Sequence, residues 1–404
     1  AERRRLRRIA VGVPLGATLL AVLWVAFGPR RTGPVLAGAE SIAVMPFATS
    51  GQGVELMGEG MVDLLSTNLN SVGGIRAIEP RTVMTRLKKE GLGAGLDLEA
   101  ALGVARSVKA QAALLGSIVA TGSRVRISAD LYAQDRMSLA HAQVDGANDS
   151  VLALVDDLSR ALVREIWRSK EPVPSLRLGA LTTTSLAAMR EYLVGEQRYR
   201  RSEWDSAAAA FQRGVDQDST FALAQYRLAM ALGWKGGYAL PRAREASEAA
   251  LRFSGKLPVR ERALVVAYQM FSYGKLAAID SMRKYVAAYP DDIEGWNLLG
   301  ETQFHTRQLT GLTPKELVEP FDRVLALDST LTPSAIHPLE VTLLAGDSVG
   351  FFKYLTLYRR SASLSEADAY AAAGTLVWGH ASPDSAAAAS LQQHMGATSA
   401  ALME

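Results

Sequence analysis

The sequence contains no cysteine. Disulfides, thiolate metal sites and cysteine nucleophiles are therefore excluded. Histidine is scarce as well: the five are His141, His305, His337, His380 and His394. None of them forms an H-x-x-x-H or H-E-x-x-H pair, so no metal ligand, no cofactor-binding residue and no catalytic histidine is expected. His337-Pro338 reads as a helix start, where capping or solvent exposure explains the ring. His305 reads as the end of a helix, where a positive imidazole is favoured.

The most informative absence is local. Ile9 to Gly28 carries no charged, amide or imidazole side chain, and Thr18 is its one hydroxyl. At 1.5 Å per residue such a helix is roughly 30 Å long, the thickness of a bilayer's hydrocarbon core. A transmembrane helix is expected, with Ile9, Leu15, Leu19, Leu20, Leu23, Trp24 and Phe27 as its anchoring residues. Pro14 should kink or loosen its first third. Before it stand Arg3, Arg4, Arg5, Arg7 and Arg8, and after it only Arg30 and Arg31. Positive residues stay on the cytoplasmic side, so the amino terminus is expected inside and the bulk of the chain in the periplasm of a bacterial inner membrane. A cleaved signal peptide is the competing reading, with Ala37-Gly38-Ala39 as its site. The apolar run is longer than a usual h-region and the gap before Ala39 is too long, so the anchor is preferred.

The formal charge of +3 divides unevenly. Residues 1–31 hold seven Arg and one Glu; the remainder holds 37 basic against 40 acidic residues, net −3. No basic face is left to drive phosphate contact, so nucleic acid is not an expected partner. Membrane lipids are, through the arginine cluster.

With 404 residues the chain has room for two or three domains. The expected division is a basic terminus (1–8), the span (9–28), a linker (29–39), an α+β domain (40–170), a second linker (171–184) and helical repeats (185–404). In the α+β domain, 41–47 reads as a buried strand ended by Pro46, 54–70 as a helix and 75–79 as a short strand. Helices follow over 81–89 and 97–108, the latter with Asp97 as N-cap. Strands over 112–120, 124–133 and 138–144 come next, then a closing helix over 151–167. Residues 124–131 alternate apolar and polar side chains, as a half-solvated antiparallel strand should. Gly51, Gly53, Gly91, Gly93 and Gly95 read as turn glycines, since neither group has the context of a phosphate cradle.

Several blocks in this region occur in a recognisable order: Ser41 to Phe47, Gly58-Glu59-Gly60-Met61, Ala101-Leu102-Gly103-Val104, and Leu115-Gly116-Ser117 leading to Arg124-Val125-Arg126-Ile127. Residues 40–168 resemble the TolB amino-terminal-like (FlgO-like) domain. That resemblance implies an envelope α+β domain used for protein contacts. Similar domains follow a single span and precede tetratricopeptide repeats in bacterial membrane proteins whose cytoplasmic part is a kinase or a DNA-binding module. With eight residues ahead of the span, no such part is expected here.

From about residue 185 the pattern is helix pairs with a period near 34 residues. Gly195, Ala207, Phe211 and Gly214 fall at the small and aromatic positions of a tetratricopeptide repeat. Trp296, Leu299 and Gly300 give its W-x-x-L-G signature. Small residues let paired helices approach, and aromatics fill the space between pairs. Six pairs are expected, near 185–218, 219–253, 258–290, 291–328, 332–362 and 364–398. The resemblance implies a solenoid with a groove for a peptide or partner segment.

One G-x-S-x-G occurs, at Gly346 to Gly350. It lies between predicted helices rather than after a strand, so Ser348 reads as a helix cap instead of a nucleophile. Arg200-Arg201 and Arg359-Arg360 read as solvated surface, and Asp156-Asp157 and Asp291-Asp292 as a helix face and a turn. The expected fold class is an α+β domain plus an all-α solenoid of tetratricopeptide type, with one transmembrane helix. The expected role is a non-catalytic scaffold or accessory subunit of a respiratory, photosynthetic or transport complex, with other membrane-complex subunits as partners. The alternative is a periplasmic sensor whose repeats bind a peptide or ligand.

Overall fold

A computed structural model of the chain describes residues 41–70, 75–166, 183–362 and 364–379. The expected anchoring residues Ile9, Leu15, Leu19, Leu20, Leu23, Trp24 and Phe27 and the arginines at positions 3, 4, 5, 7 and 8 lie outside them. Among the described residues no helix is long and apolar enough to cross a membrane.

The first part is a mixed sheet with helices. Its strands are β1 (Ser41–Val44), β2 (Ala48–Ser50), β3 (Arg76–Ala77), β4 (Ala112–Thr121), β5 (Arg124–Ala133) and β6 (Ser138–Ala147). Helix α1 (Glu55–Asn70) leads from β2 to β3, and α2 (Pro80–Lys89) and α3 (Leu98–Ser107) lead from β3 to β4. Helix α4 (Val151–Ile166) follows β6. The order across the sheet is β3-β1-β4-β5-β6, and β2 also pairs with β4. β1 runs parallel to β3 and β4, with Val44 opposite Leu114. β4, β5 and β6 form an antiparallel meander. Every residue of β1 is buried, which fits an apolar run between two parallel neighbours. β5 alternates buried and solvated positions along its length, the pattern of a strand with one wet face. Asp97 caps α3, its side chain accepting from the Ala100 N–H at 2.8 Å. Gly122 takes a φ of +59° in the two-residue turn between β4 and β5, where a side chain would be strained.

The departures from expectation here are small and physical. β1 ends at Val44, before Pro46, and the chain then re-enters the sheet as β2 beside Ser117–Val119. That short strand has no apolar alternation of its own and is formed by pairing. Gly58 makes it possible: a Cβ there would lie 2.7 Å from the Phe47 carbonyl oxygen and 2.9 Å from Thr49.

The second part is entirely helical. Five hairpins follow in order: α5 (Leu186–Arg200) with α6 (Trp204–Gln217), α7 (Ala222–Gly236) with α8 (Pro241–Phe253), and α9 (Val259–Ser272) with α10 (Ala277–Ala288). Then come α11 (Ile293–His305) with α12 (Pro314–Leu327), and α13 (Ile336–Leu344) with α14 (Ser348–Tyr358). Helix α15 (Leu364–Trp378) begins a sixth; the rest of that expected pair lies outside the described residues. The described residues are thus mostly helical with one small mixed sheet.

A glycine meeting an aromatic ring recurs through these hairpins. Phe211, Phe321 and Phe351 are wholly buried, and each lies against a glycine of a first helix: Gly195, Gly300 and Gly374. A Cβ on Gly300 would sit 2.7 Å from the Phe321 ring. Burying a phenylalanine side chain is worth about 1.5–3 kcal/mol, and the missing Cβ lets the ring seat against the neighbouring backbone.

Polar contacts pin the two parts together, beside an apolar one in which Leu193 of α5 lies against Gly60 of α1. Arg200, at the end of α5, reaches Asp63 at 3.1 Å and Glu59 at 2.6 Å, both on α1. Arg260, at the start of α9, donates to the Ala77 carbonyl at 3.0 Å and to Asp292 at 2.9 Å. Asp291 accepts from Arg76 and from the Glu79 N–H. Arg200 is therefore not the solvated surface residue expected from its sequence, and Asp291-Asp292 is more than a turn. Arg359 and Arg360 are exposed, as expected.

Candidate binding groove

The first helices of successive hairpins face a cavity of about 440 Å³. Trp234 comes from α7, Phe271 from α9, Glu301 and His305 from α11, and His337 from α13; Tyr238 sits in the loop after α7. Trp204, the first residue of α6, stacks on Trp234 with ring centroids 4.9 Å apart and planes 5° from parallel. The Trp234 indole N–H donates to the Tyr199 hydroxyl at 3.1 Å, which fixes that stack. Tyr238 and Phe271 are 4.2 Å apart. Rings held by one another in this way present a rigid apolar wall with polar edges.

At the far side of this wall is a charged cluster. Glu301 Oε2 lies 3.3 Å from His337 Nε2 and 3.5 Å from His305 Nε2. His337 Nδ1 is 2.9 Å from Glu340 Oε2, and the Tyr370 hydroxyl donates to Glu340 Oε1 at 2.7 Å. The His337 ring also stacks on Phe304, 3.9 Å between centroids. Burial pushes the His337 imidazole down, but Glu301 and Glu340 outweigh it and raise the group to about 9. Burial pushes the Glu301 carboxyl up, and the charges and hydrogen bonds of His337 and His305 overcome that and hold it at about 2. Residues 332–335 form a short 3-10 turn that delivers His337 to the cavity, and Ser334 anchors the turn on Asn297 at 3.0 Å.

His337 is therefore neither a cap nor solvent-exposed, contrary to the sequence reading; it is enclosed between two carboxylates. His305 does end its helix, as expected. The sequence reading looked for histidine pairs and missed Glu301-x-x-x-His305, which puts a carboxylate and an imidazole on one face of α11. His337 arrives from the next hairpin, and no local pattern announces it.

The residues expected to mark the repeats pack within their own hairpins. Gly195, Ala207, Phe211 and Gly214 bring α5 and α6 together; a Cβ on Gly214 would lie 3.2 Å from the Ala188 carbonyl oxygen. Leu299 is buried, and Gly300 is packed against Phe321. The Trp296 indole donates to the Pro290 carbonyl at 3.0 Å, so this ring closes the preceding turn and does not line the cavity.

The G-x-S-x-G stretch is a helix start. Asp347, not Ser348, is the cap: its carboxylate accepts from the Gly350 N–H at 2.9 Å. Ser348 is the first residue of α14 and so lies one position past the cap, where the Asp347 carboxylate also meets the positive end of the helix.

A second cavity, about 70 Å³, lies where α1 meets α7 and α9. It is lined by Arg227 and Arg260 and by three buried oxygens without hydrogen-bond partners: Ser66 Oγ, Tyr226 Oη and Glu261 Oε2. Its size and polar lining suit a few buried waters.

No family model matches the chain, and no curated protein matches it. Sixteen chains of solved structures do. One is PilW, a widely conserved type IV pilus biogenesis factor, with 14% identity, a TM-score of 0.35, and 54% of this chain covered against 94% of PilW. Another is the C-terminal domain of LpoB from Salmonella enterica, with 15% identity, a TM-score of 0.23, and coverages of 28% and 84%.

Proposed function

We propose that this chain is a non-catalytic scaffold or accessory subunit of a bacterial envelope complex. The observation that carries the reading is the aromatic cavity built by the first helices of consecutive hairpins, on a body whose two parts are pinned by buried ion pairs. Rigid concave rings with polar edges suit a partner segment, since little side-chain freedom is lost when it docks. In this reading the hairpins are tetratricopeptide repeats and the α+β part is a TolB amino-terminal-like domain. Residues 9–28 anchor the protein in the inner membrane with the described body on the periplasmic side. Its partners are other subunits of a respiratory, photosynthetic or transport assembly together with membrane lipids, and nucleic acid is not among them.

The test is a photo-crosslinking side chain at position 238, activated in intact membranes. A discrete crosslinked polypeptide that disappears with Trp234→Ala supports the reading. A protein that yields no crosslink and leaves mild detergent as a monomer overturns it. The cavity also favours a second reading, a periplasmic sensor that takes a free peptide or small ligand there. In that case the occupant is soluble and its binding raises the thermal midpoint of the purified protein.

A further inference from the structure

We infer that Glu301, His305 and His337 form a binding site for a divalent metal ion of the zinc class, opening onto the aromatic cavity. The inference does not depend on the scaffold reading, because it concerns a ligand that three side chains can hold without any partner.

Each of Glu301, His305 and His337 offers one donor atom, and the three atoms all lie within 4.8 Å of one another. Zinc bound to nitrogen and oxygen has bonds of about 2.0–2.1 Å, so two ligand atoms at neighbouring corners of its tetrahedron are ~3.3 Å apart. The separations from Glu301, 3.3 Å to His337 and 3.5 Å to His305, already match that edge. The remaining distance closes by turning His305, which ends α11 on the cavity side and whose side chain is 29% exposed.

The surroundings fit as well as the donors. A ligating imidazole ordinarily gives its other N–H to a carboxylate, which fixes the tautomer and aims the lone pair at the metal. Glu340 stands in that place, 2.9 Å from His337 Nδ1, and is itself held by the Tyr370 hydroxyl. Stacking on Phe304 removes the ring's remaining freedom. Two imidazoles and one carboxylate favour zinc over calcium or magnesium, which take oxygen donors. Three protein ligands leave a fourth position open. Glu301, His305 and His337 line the same cavity as Trp234, Tyr238 and Phe271, so water or a side chain of a docked segment would complete the shell there.

The experiment uses the full chain, untagged and stripped of metal with a chelator. Titration with zinc at neutral pH should show one saturable site with micromolar or tighter affinity. Titration with cobalt should give the intense visible bands of a tetrahedral ion. His305→Ala should weaken zinc binding at least tenfold while the protein keeps the circular dichroism of the wild-type fold, because that ring ends its helix and is partly exposed. Glu340→Gln, which touches only the positioning residue, should weaken it by roughly ten- to a hundredfold. No saturable binding below millimolar zinc overturns the inference, and so does wild-type affinity in a folded His305→Ala protein.

Discussion

Arg81 donates from its Nε to Asp328 Oδ2 at 2.7 Å, joining two residues 247 positions apart in the chain. Their side chains are 6% and 1% exposed. Arg81 lies on α2 of the α+β part, and Asp328 is the C-cap of α12 in the helical part. Asp328 also bonds the Thr330 N–H and hydroxyl, so its charge is fully engaged.

Breaking this pair on one side should be costly, because the guanidinium stays behind without its counter-charge. Asp328→Ala should lower stability by about 3–5 kcal/mol, measured by denaturant unfolding. Arg126→Ala, which removes the solvent-exposed pair with Asp145 on the sheet meander, should leave the unfolding midpoint essentially unchanged.

Four acidic groups make stability fall as pH rises through neutrality. Burial raises Asp63 and Asp156 to about 6, and Glu79 and Glu261 to about 7. A carboxyl raised in the folded state contributes stability that is complete below its unfolded pKa, near 4, and lost as pH climbs through the folded value. The melting temperature should therefore decline between about pH 5 and pH 8. Asp328 works the other way: its carboxyl, held low chiefly by Arg81 against the effect of burial, sheds stability only in acid below its unfolded value.

Glu261→Gln isolates one of these terms. Glu261 Oε2 is buried without a hydrogen-bond partner, and burial outweighs the opposing charges of Arg260 and Arg227, so ionisation there is penalised. The variant should melt higher than wild type at pH 8 and alike at pH 5, read from melting curves at the two pH values. Equal midpoints at pH 8 would show that water in the small cavity already solvates the carboxylate.

Two glycine substitutions should move stability in opposite directions. In Gly300→Ala the new methyl meets the Phe321 ring, and overpacking of this kind costs about 1–3 kcal/mol. Gly103 is interior to α3, and a Cβ there has no atom within 4 Å. Gly103→Ala should stabilise by about 0.5–1 kcal/mol, since alanine gives up less backbone freedom in a helix. Paired denaturant curves decide both.

Much of this architecture was legible residue by residue. Asp97 before an apolar-periodic run announced the start of α3, and the alternation of Arg124 to Leu131 announced a strand with one wet face. The recurrence of small residues and aromatics announced the hairpins, because paired helices approach closely only where a side chain is small. The failures share a cause. β2 exists only because β4 offers it hydrogen bonds. Arg200 looks like surface because nothing in its neighbourhood reveals Asp63 and Glu59, which approach from α1. Glu301 carries no sequence signal and His337 reads as a cap or an exposed ring, because the two meet only across consecutive hairpins.

The sequence by itself determined the local elements, the absence of thiol chemistry and the apolar character of residues 9–28. Each of these follows from side chains interacting with their own segment or with solvent. The tertiary structure alone decided which charges are buried and with whom, since an ion pair across 247 positions leaves no periodic trace. It likewise decided that two scattered histidines and one glutamate meet at the edge of an aromatic cavity, because helix stacking brings α11 and α13 together only after the chain has folded.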